Sequence, residues 1–359
     1  MGWYFSLLQY YFEYSPHTVF WTRGAICSHN LFLAPAQCRS FTKNQTKNIS
    51  SHNTYQDMMQ FNHNKKIHNT PNFFIIGAAK CGTTYFSHIL NQHPQIFLPV
   101  ATEPHFYDND ENYELGFQHY LHTFFKDAHD VHKRGDCTPG YFHRHTKVIP
   151  RLLECNTKNA LQFILILRDP VKRAFSHYLH RVRVNKESES FEKALDLEKH
   201  RLAENPDIWA SYFQDGLYAQ QLKHWFAVFE KDQFHILFFE DMVRDVQTAA
   251  QQTFRFLHAE TEVELQTIGI KNKASVPKSP VFMHWLQKPM RIKNIFKPFV
   301  PKYSRKLLKE RLIKLNLKEA KQTPALDPTL ERFLRSKYNH DIEALEKILD
   351  INLNSWKHQ

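Results

Sequence analysis

The sequence predicts an α/β fold in which a central parallel sheet is flanked by helices in three layers. Three observations lead there. The apolar runs FFIIG (73–77), LQFILIL (161–167) and QFHILFFE (233–240) have the length and continuity of strands buried on both faces. Each is followed by apolar residues at helical spacing, and strands alternating with helices imply parallel pairing. The first run is joined to its helix by a loop of small residues, GAAKCG, in a chain with only 9 glycines.

Residues 40–70 are polar and rich in Asn, Lys and Gln, without apolar periodicity. Residues 1–70 are therefore expected to form a poorly ordered N-terminal extension, with Met58 or Met59 as alternative starts, ahead of a functional domain over 71–359. After the first strand, Thr83 and Thr84 open a helix to about residue 92, with Tyr85, Phe86, Ile89 and Leu90 on one face. After the second, Asp169 is a good N-cap and Pro170 a good first helical residue, so a helix runs to roughly residue 184. The third strand is followed by one helical pattern, DMVRDVQTAAQQTFRFL. Near the C-terminus, Leu330, Leu334, Tyr338, Ile342, Leu345 and Leu349 form the stripe of an amphipathic helix capped by Asp327 and Pro328.

With 359 residues, 42% of them apolar, the chain can bury a sizeable core. Its net charge of +11 predicts an anionic partner. The five cysteines are odd in number and lack C-x-x-C spacing, which argues against a disulfide framework or zinc site and for a reducing compartment. Among 23 histidines no H-E-x-x-H pattern occurs, the nearest grouping being His143-Arg144-His145, so no metal is expected. No window of 18 apolar residues exists, and the first 21 residues lack the basic start and cleavage site of a signal peptide. The expected location is cytoplasmic; the sequons at Asn44 and Asn48 would count only in a secreted chain. Residues 288–314 hold ten Lys/Arg against only Glu310, with Phe296, Phe299 and Tyr303 between them. That stretch suits either a solvated helix face or peripheral contact with an anionic membrane.

The loop at 77–84 carries the chemistry. A strand, a small-residue turn and a helix N-terminus make an anion site, because the first-turn N–H groups lack intrahelical partners and the helix dipole adds about half a positive charge. Lys80 supplies a full charge, Gly82 permits close approach, and the Thr83 and Thr84 hydroxyls can donate. An ordinary corner with an incidental lysine would look the same to this point. A triphosphate loop reads G-x-x-x-x-G-K-[ST]; here the lysine precedes the second glycine and the loop is shorter, which suits a two-phosphate-sized group with one transferable end. The fold is thus P-loop-like; a nucleotide kinase or NTPase is the alternative enzyme reading, against which stand the lysine order and Arg168 where an Asp is needed after an apolar strand. The segment LRDPVKRAFSHY sets Arg168 at a strand end and Ser176 eight residues on, and an arginine fork with a nearby hydroxyl makes a second anion site. Two such sites on neighbouring strand–helix units suit a nucleotide phosphorylated at both ends.

These residues carry a resemblance. AAKCGTTYFSHILNQHP resembles the 5′-phosphosulfate loop, K-x-G-T-[TR], of sulfotransferases that use 3′-phosphoadenosine 5′-phosphosulfate (PAPS), in particular the heparan-sulfate-type and bacterial carbohydrate enzymes. The resemblance covers about 72–359. It implies that Lys80, Cys81, Gly82, Thr83 and Thr84 hold the 5′ end of PAPS. Arg168 and Ser176, in R-D-P-x-x-R-x-x-S, would hold the 3′-phosphate; Tyr218 and Lys278 would contact the nucleotide. EPHFYD (103–108) resembles the family's E-x-H-F-[FY]-D, implying Glu103 as general base, with His105 and Asp108 toward the acceptor. Such a base is needed because a sugar hydroxyl is a poor nucleophile, and removing its proton is worth roughly 10²–10⁴ in rate. GDCTPGYF (135–142) departs from the family's G-E-K-T-P-A-Y-F by Cys137 in place of a lysine near the acceptor. The acceptor implied is therefore a glycan, glycolipid or small hydroxylated molecule rather than specifically a heparan-like polyanion, and no nucleic acid is expected. A rival reading outside enzymes is a basic module binding anionic glycan or membrane.

Overall fold

The computed structural model describes residues 69–99, 102–128, 131–205, 209–266, 275–277, 317–319 and 324–357. Five parallel strands, β1 (Phe73–Gly77), β2 (Ile96–Phe97), β3 (Lys133–Cys137), β4 (Gln162–Leu167) and β5 (Phe234–Phe238), form one sheet in the order β2-β3-β1-β4-β5. Helix α1 (Thr83–Leu90) follows β1; α2 (Asp110–Glu114) and α3 (Phe117–Phe124) precede β3; α4 (His145–Cys155) leads to β4. Between β4 and β5 lie α5 (Pro170–Arg183), α6 (Phe191–Asp196), α7 (Glu198–Glu204) and α8 (Tyr218–Phe226). Helices α9 (Phe239–Arg244), α10 (Val246–Phe256), α11 (Pro328–Leu349) and α12 (Asn354–Lys357) follow, and β6 (Ser275–Pro277) pairs antiparallel with β7 (Leu317–Glu319). The sheet is the parallel, helix-flanked one the sequence predicts.

The centre of the sheet is apolar on both faces. Phe73, Phe74, Ile75 and Ile76 of β1 and Phe163 through Leu167 of β4 are fully buried, each such side chain contributing about 1.5–3 kcal/mol. The helix after β4 starts where its cap predicts: the Asp169 carboxylate accepts from the N–H groups of Val171 and Lys172 at 2.9 and 3.1 Å. The segment after β5 departs from expectation. It breaks into α9 and α10 because Asp245 accepts from Thr248 N–H at 3.0 Å and so caps a second helix.

Strand β3 is not foreseeable from an apolar run, since KRGDC has none. Two features make it a strand. Gly135 lies opposite Phe73, where any Cβ would come within 2.2 Å of that ring. Asp136 is fully buried but accepts from Thr138 Oγ1, Tyr120 Oη and Tyr141 Oη at 2.7, 2.7 and 2.9 Å. Burial pushes its carboxyl up to about 6 against the pull of those donors.

Helix α11 adds an unexpected function to its predicted stripe. Leu334, Tyr338, Ile342 and Leu345 are buried, and so is Arg335 between them. Its guanidinium lies 3.0 Å from Asp169 and donates to the Trp356 carbonyl at 2.8 Å, tying the C-terminal helix to the start of α5. In the sheet, β1 sends the chain toward β2 and β3 whereas β4 sends it toward β5. Their C-terminal ends therefore flank a topological switch point, where ligand crevices form in parallel sheets.

Candidate active site

The loop after β1 is fixed at both ends. Ala78 N–H donates to the Ile166 carbonyl at 2.8 Å, and Cys81 N–H donates to Ala78 O at 3.1 Å. Lys80 and Gly82 both take left-handed backbone, with φ of 75° and 82°, which turns the chain sharply into α1. The first helical bond runs from Phe86 N–H to Gly82 O at 3.0 Å, so the earlier first-turn N–H groups have no intrahelical acceptor. A Cβ on Gly82 would come 2.9 Å from Phe239 and 3.0 Å from Met242 of α9. Thr83 is buried and Thr84 exposed. Burial pushes the Lys80 amine down to about 8, Arg183 and Arg168 add to this, and Glu103 opposes it. A buried amine on which two further cations act is a candidate anion-binding group.

Arg168, at the end of β4, is the nearest partner of this loop from the adjacent strand. Its Nη1 donates to the Lys80 carbonyl at 3.3 Å and its guanidinium lies 4.5 Å over the Phe239 ring. Its Nε is buried with no acceptor among the described residues, an orphan donor that a phosphate would satisfy. The neighbouring Asp169, the obvious competitor for this arginine, is engaged by Arg335 and by the first turn of α5. Tyr218 is buried and donates from Oη to the Arg168 carbonyl at 3.0 Å, so it braces the end of β4. The Cys81 thiol turns into the core, 3.9 Å from the same Tyr218 Oη, and burial pushes it up to about 11. Ser176 is half-buried on α5. Lys278 and residues 288–314 lie outside the described residues.

The segment after β2 brings three predicted residues into one chain of charges. Glu103 Oε2 lies 3.1 Å from His105 Nε2, and His105 Nδ1 lies 3.1 Å from Asp108. Burial opposes the His105 imidazolium, yet the two carboxylates outweigh it and raise its pKa to about 10. Asp108 is fully buried, and the His105 and Arg144 cations hold its carboxyl below the usual range despite that burial. Asp108 is thus occupied within the protein rather than exposed to an acceptor. The segment is pinned by β3 and its following turn: His105 N–H donates to Thr138 Oγ1 at 3.4 Å and Phe106 N–H to Tyr141 Oη at 3.1 Å. Cys137, which stands where the resemblance implies a lysine, is buried with its thiol 3.9 Å from the Thr83 carbonyl, and burial raises its pKa well above the ordinary value.

Two cations of the site are not singled out by the sequence motifs. Arg144 Nη1 donates to Asp108 Oδ2 at 2.9 Å and closes the charge chain. Arg183 donates to His180 Nδ1 at 2.8 Å, and burial with Lys80, Arg183 and Arg181 pushes His180 down to about 3. A signal for Arg183 is present in the sequence: Ser176, His180 and Arg183 are spaced i, i+4, i+7 on α5 and share a face.

Comparison with known proteins agrees with this geometry. The family described as "Sulfotransferase domain" matches residues 70–279. Human carbohydrate sulfotransferase 15 is 27% identical over 269 residues, spanning 58% of this chain and 46% of that protein. Mouse heparan sulfate glucosamine 3-O-sulfotransferase 5 is 26% identical over 239 residues, 64% of this chain and 65% of that one. The chain thus matches about half to two-thirds of the length of these curated relatives. A crystal structure of a sulfotransferase from Alicyclobacillus acidocaldarius superposes with a TM-score of 0.60 at 24% identity, over 80% of this chain and 99% of that one. The family match spans more than half the chain and includes the loop, the Arg168 strand end and the Glu103 segment, so the chain belongs to the sulfotransferase domain family.

Proposed function

We propose that the protein transfers a sulfuryl group from PAPS to a hydroxyl, or amine, of a carbohydrate-type acceptor, with Glu103 as general base. The observation that carries this reading is the position of Lys80. It sits on a left-handed turn whose carbonyl Arg168 grips from the next strand, and Glu103 lies near enough for its charge to act on the amine. In this reading the first-turn N–H groups of α1, Lys80 and the Thr84 hydroxyl hold the 5′ end of the nucleotide. Arg168, through its orphan Nε, and Ser176 hold the 3′-phosphate.

The reaction then runs in line. The acceptor oxygen forms a bond to sulfur as sulfur leaves the 5′-phosphate oxygen, and the acceptor proton passes to Glu103. Lys80 neutralises charge gathering on the leaving phosphate and the sulfuryl oxygens, which is stabilisation by preorganised charge. The positive charges needed are supplied by side chains of the chain itself. A glycan acceptor is supported by the relatives named for carbohydrate and heparan sulfate. Lys80→Ala is expected to reduce transfer of labelled sulfate from PAPS to a glycan acceptor panel by about 10²–10³ or more, with the thermal unfolding midpoint unchanged. Near-normal turnover by this variant would contradict the assignment.

A further inference from the structure

Arg144 is the last residue before α4, and its carbonyl accepts from Lys147 and Val148 N–H at 3.0 and 2.9 Å, so its backbone is rigidly mounted. From there its guanidinium reaches 36 residues back in sequence to Asp108, which holds His105, which holds Glu103. We propose that Arg144 is a positioning residue for the base: through Asp108 and His105 it fixes the orientation and charge of Glu103. The inference rests on Glu103 being the base.

Charge bookkeeping carries the argument. Two carboxylates, one imidazolium and one guanidinium sum to zero in a pocket where the Asp108 side chain is fully buried. Without the guanidinium the unit would hold a net negative charge, and a buried negative unit takes up a proton more readily. With Arg144 in place, Asp108 is held ionised and His105 stays an imidazolium that donates to both neighbours. The partly exposed Glu103 is then the carboxylate of the unit open to an incoming proton, since its side chain is 36% exposed and that of Asp108 is 0% exposed.

Other groups among the described residues act on this unit. Asp136 of β3 senses the His105 charge, and Tyr141 senses Asp108. His143 senses Asp108 and Arg144; Lys80 and Cys137 sense Glu103. Of these, Lys80 is a cation whose removal would also abolish the proposed nucleotide grip, whereas Arg144 lies on the far side of Asp108. His105 and Asp108 act on each other and Arg144 acts on Asp108, so removing the Arg144 charge is expected to displace the pH profile.

The test is the pH dependence of kcat/KM for sulfate transfer from PAPS by wild type, R144Q, R144K and E103Q. For R144Q the acid limb is expected to move to higher pH by about one unit, with kcat near neutral pH falling about tenfold and KM for PAPS unchanged. R144K keeps the charge and is expected to leave the limb in place with a smaller loss of kcat. Binding of 3′-phosphoadenosine 5′-phosphate at wild-type affinity marks R144Q as folded. Should R144Q not bind it, R144K decides alone: an unmoved limb supports the proposal and a displaced one overturns it. An unmoved limb in a folded R144Q also overturns it. Loss of turnover in E103Q beside an unmoved R144Q limb would retain the base and discard only Arg144; undiminished turnover in E103Q would discard the base reading itself.

Discussion

Gly82 is where the backbone, rather than a side chain, sets the chemistry. Its φ of 82° and the 2.9–3.0 Å that would separate an added Cβ from Phe239 and Met242 leave no room for alanine. Gly82→Ala is expected to cost about 1–3 kcal/mol of local strain and to weaken nucleotide binding about tenfold to a hundredfold, read by calorimetric titration with 3′-phosphoadenosine 5′-phosphate. Unchanged affinity would mean that the loop is not the 5′ site. The placement of Lys80, Gly82, Thr83, Thr84 and Arg168 at strand ends and a helix start is legible in the sequence because it is local: each sits at a fixed offset from an apolar strand or a helix start. Arg144 and Tyr218 are not legible in their roles, since their partners Asp108 and Arg168 lie 36 and 50 residues away and only the fold brings them together. Cys81 groups with its loop neighbours in the sequence, but its thiol faces the core and braces Tyr218 instead.

At the scale of elements, β3 links the sheet to the segment that carries Glu103, the proposed base. Its Asp136 receives three hydroxyl donors, and two of the donating residues, Thr138 and Tyr141, in turn accept N–H groups of the segment that carries Glu103. Asp136→Ala would strand those hydroxyls in a dry site and is expected to destabilise the protein by about 2–4 kcal/mol. It should also lower kcat more than it weakens nucleotide binding, because the Glu103 segment loses its anchor while the Lys80 loop keeps its own bond to Ile166. Equal losses in both would place β3 under the nucleotide instead. Strands β1, β4 and β5 are visible as apolar runs, and α5 and α11 as capped helices, because burial on both faces and N-capping write themselves into composition. Strand β3 is invisible for the opposite reason: it is buried through a satisfied carboxylate and a glycine that fits beside Phe73, and neither leaves an apolar pattern.

Across the whole molecule, the two halves of the site come from neighbouring strands whose chains leave in opposite directions, and a helix from the far C-terminal end secures one of them. Arg335 of α11 engages Asp169, the carboxylate next to Arg168 in the sequence, while Arg168 donates to the Lys80 carbonyl. On the proposed function, this strand-end arginine is half of a nucleotide clamp. The central claim is that two anion sites hold a nucleotide phosphorylated at both ends, and a calorimetric titration tests it most directly. 3′-Phosphoadenosine 5′-phosphate is expected to bind wild type about tenfold to a hundredfold more tightly than adenosine 5′-monophosphate, and Arg168→Ala should erase that preference while leaving the monophosphate affinity in place. Equal binding of the two nucleotides by wild type, or no binding of either, would contradict the clamp.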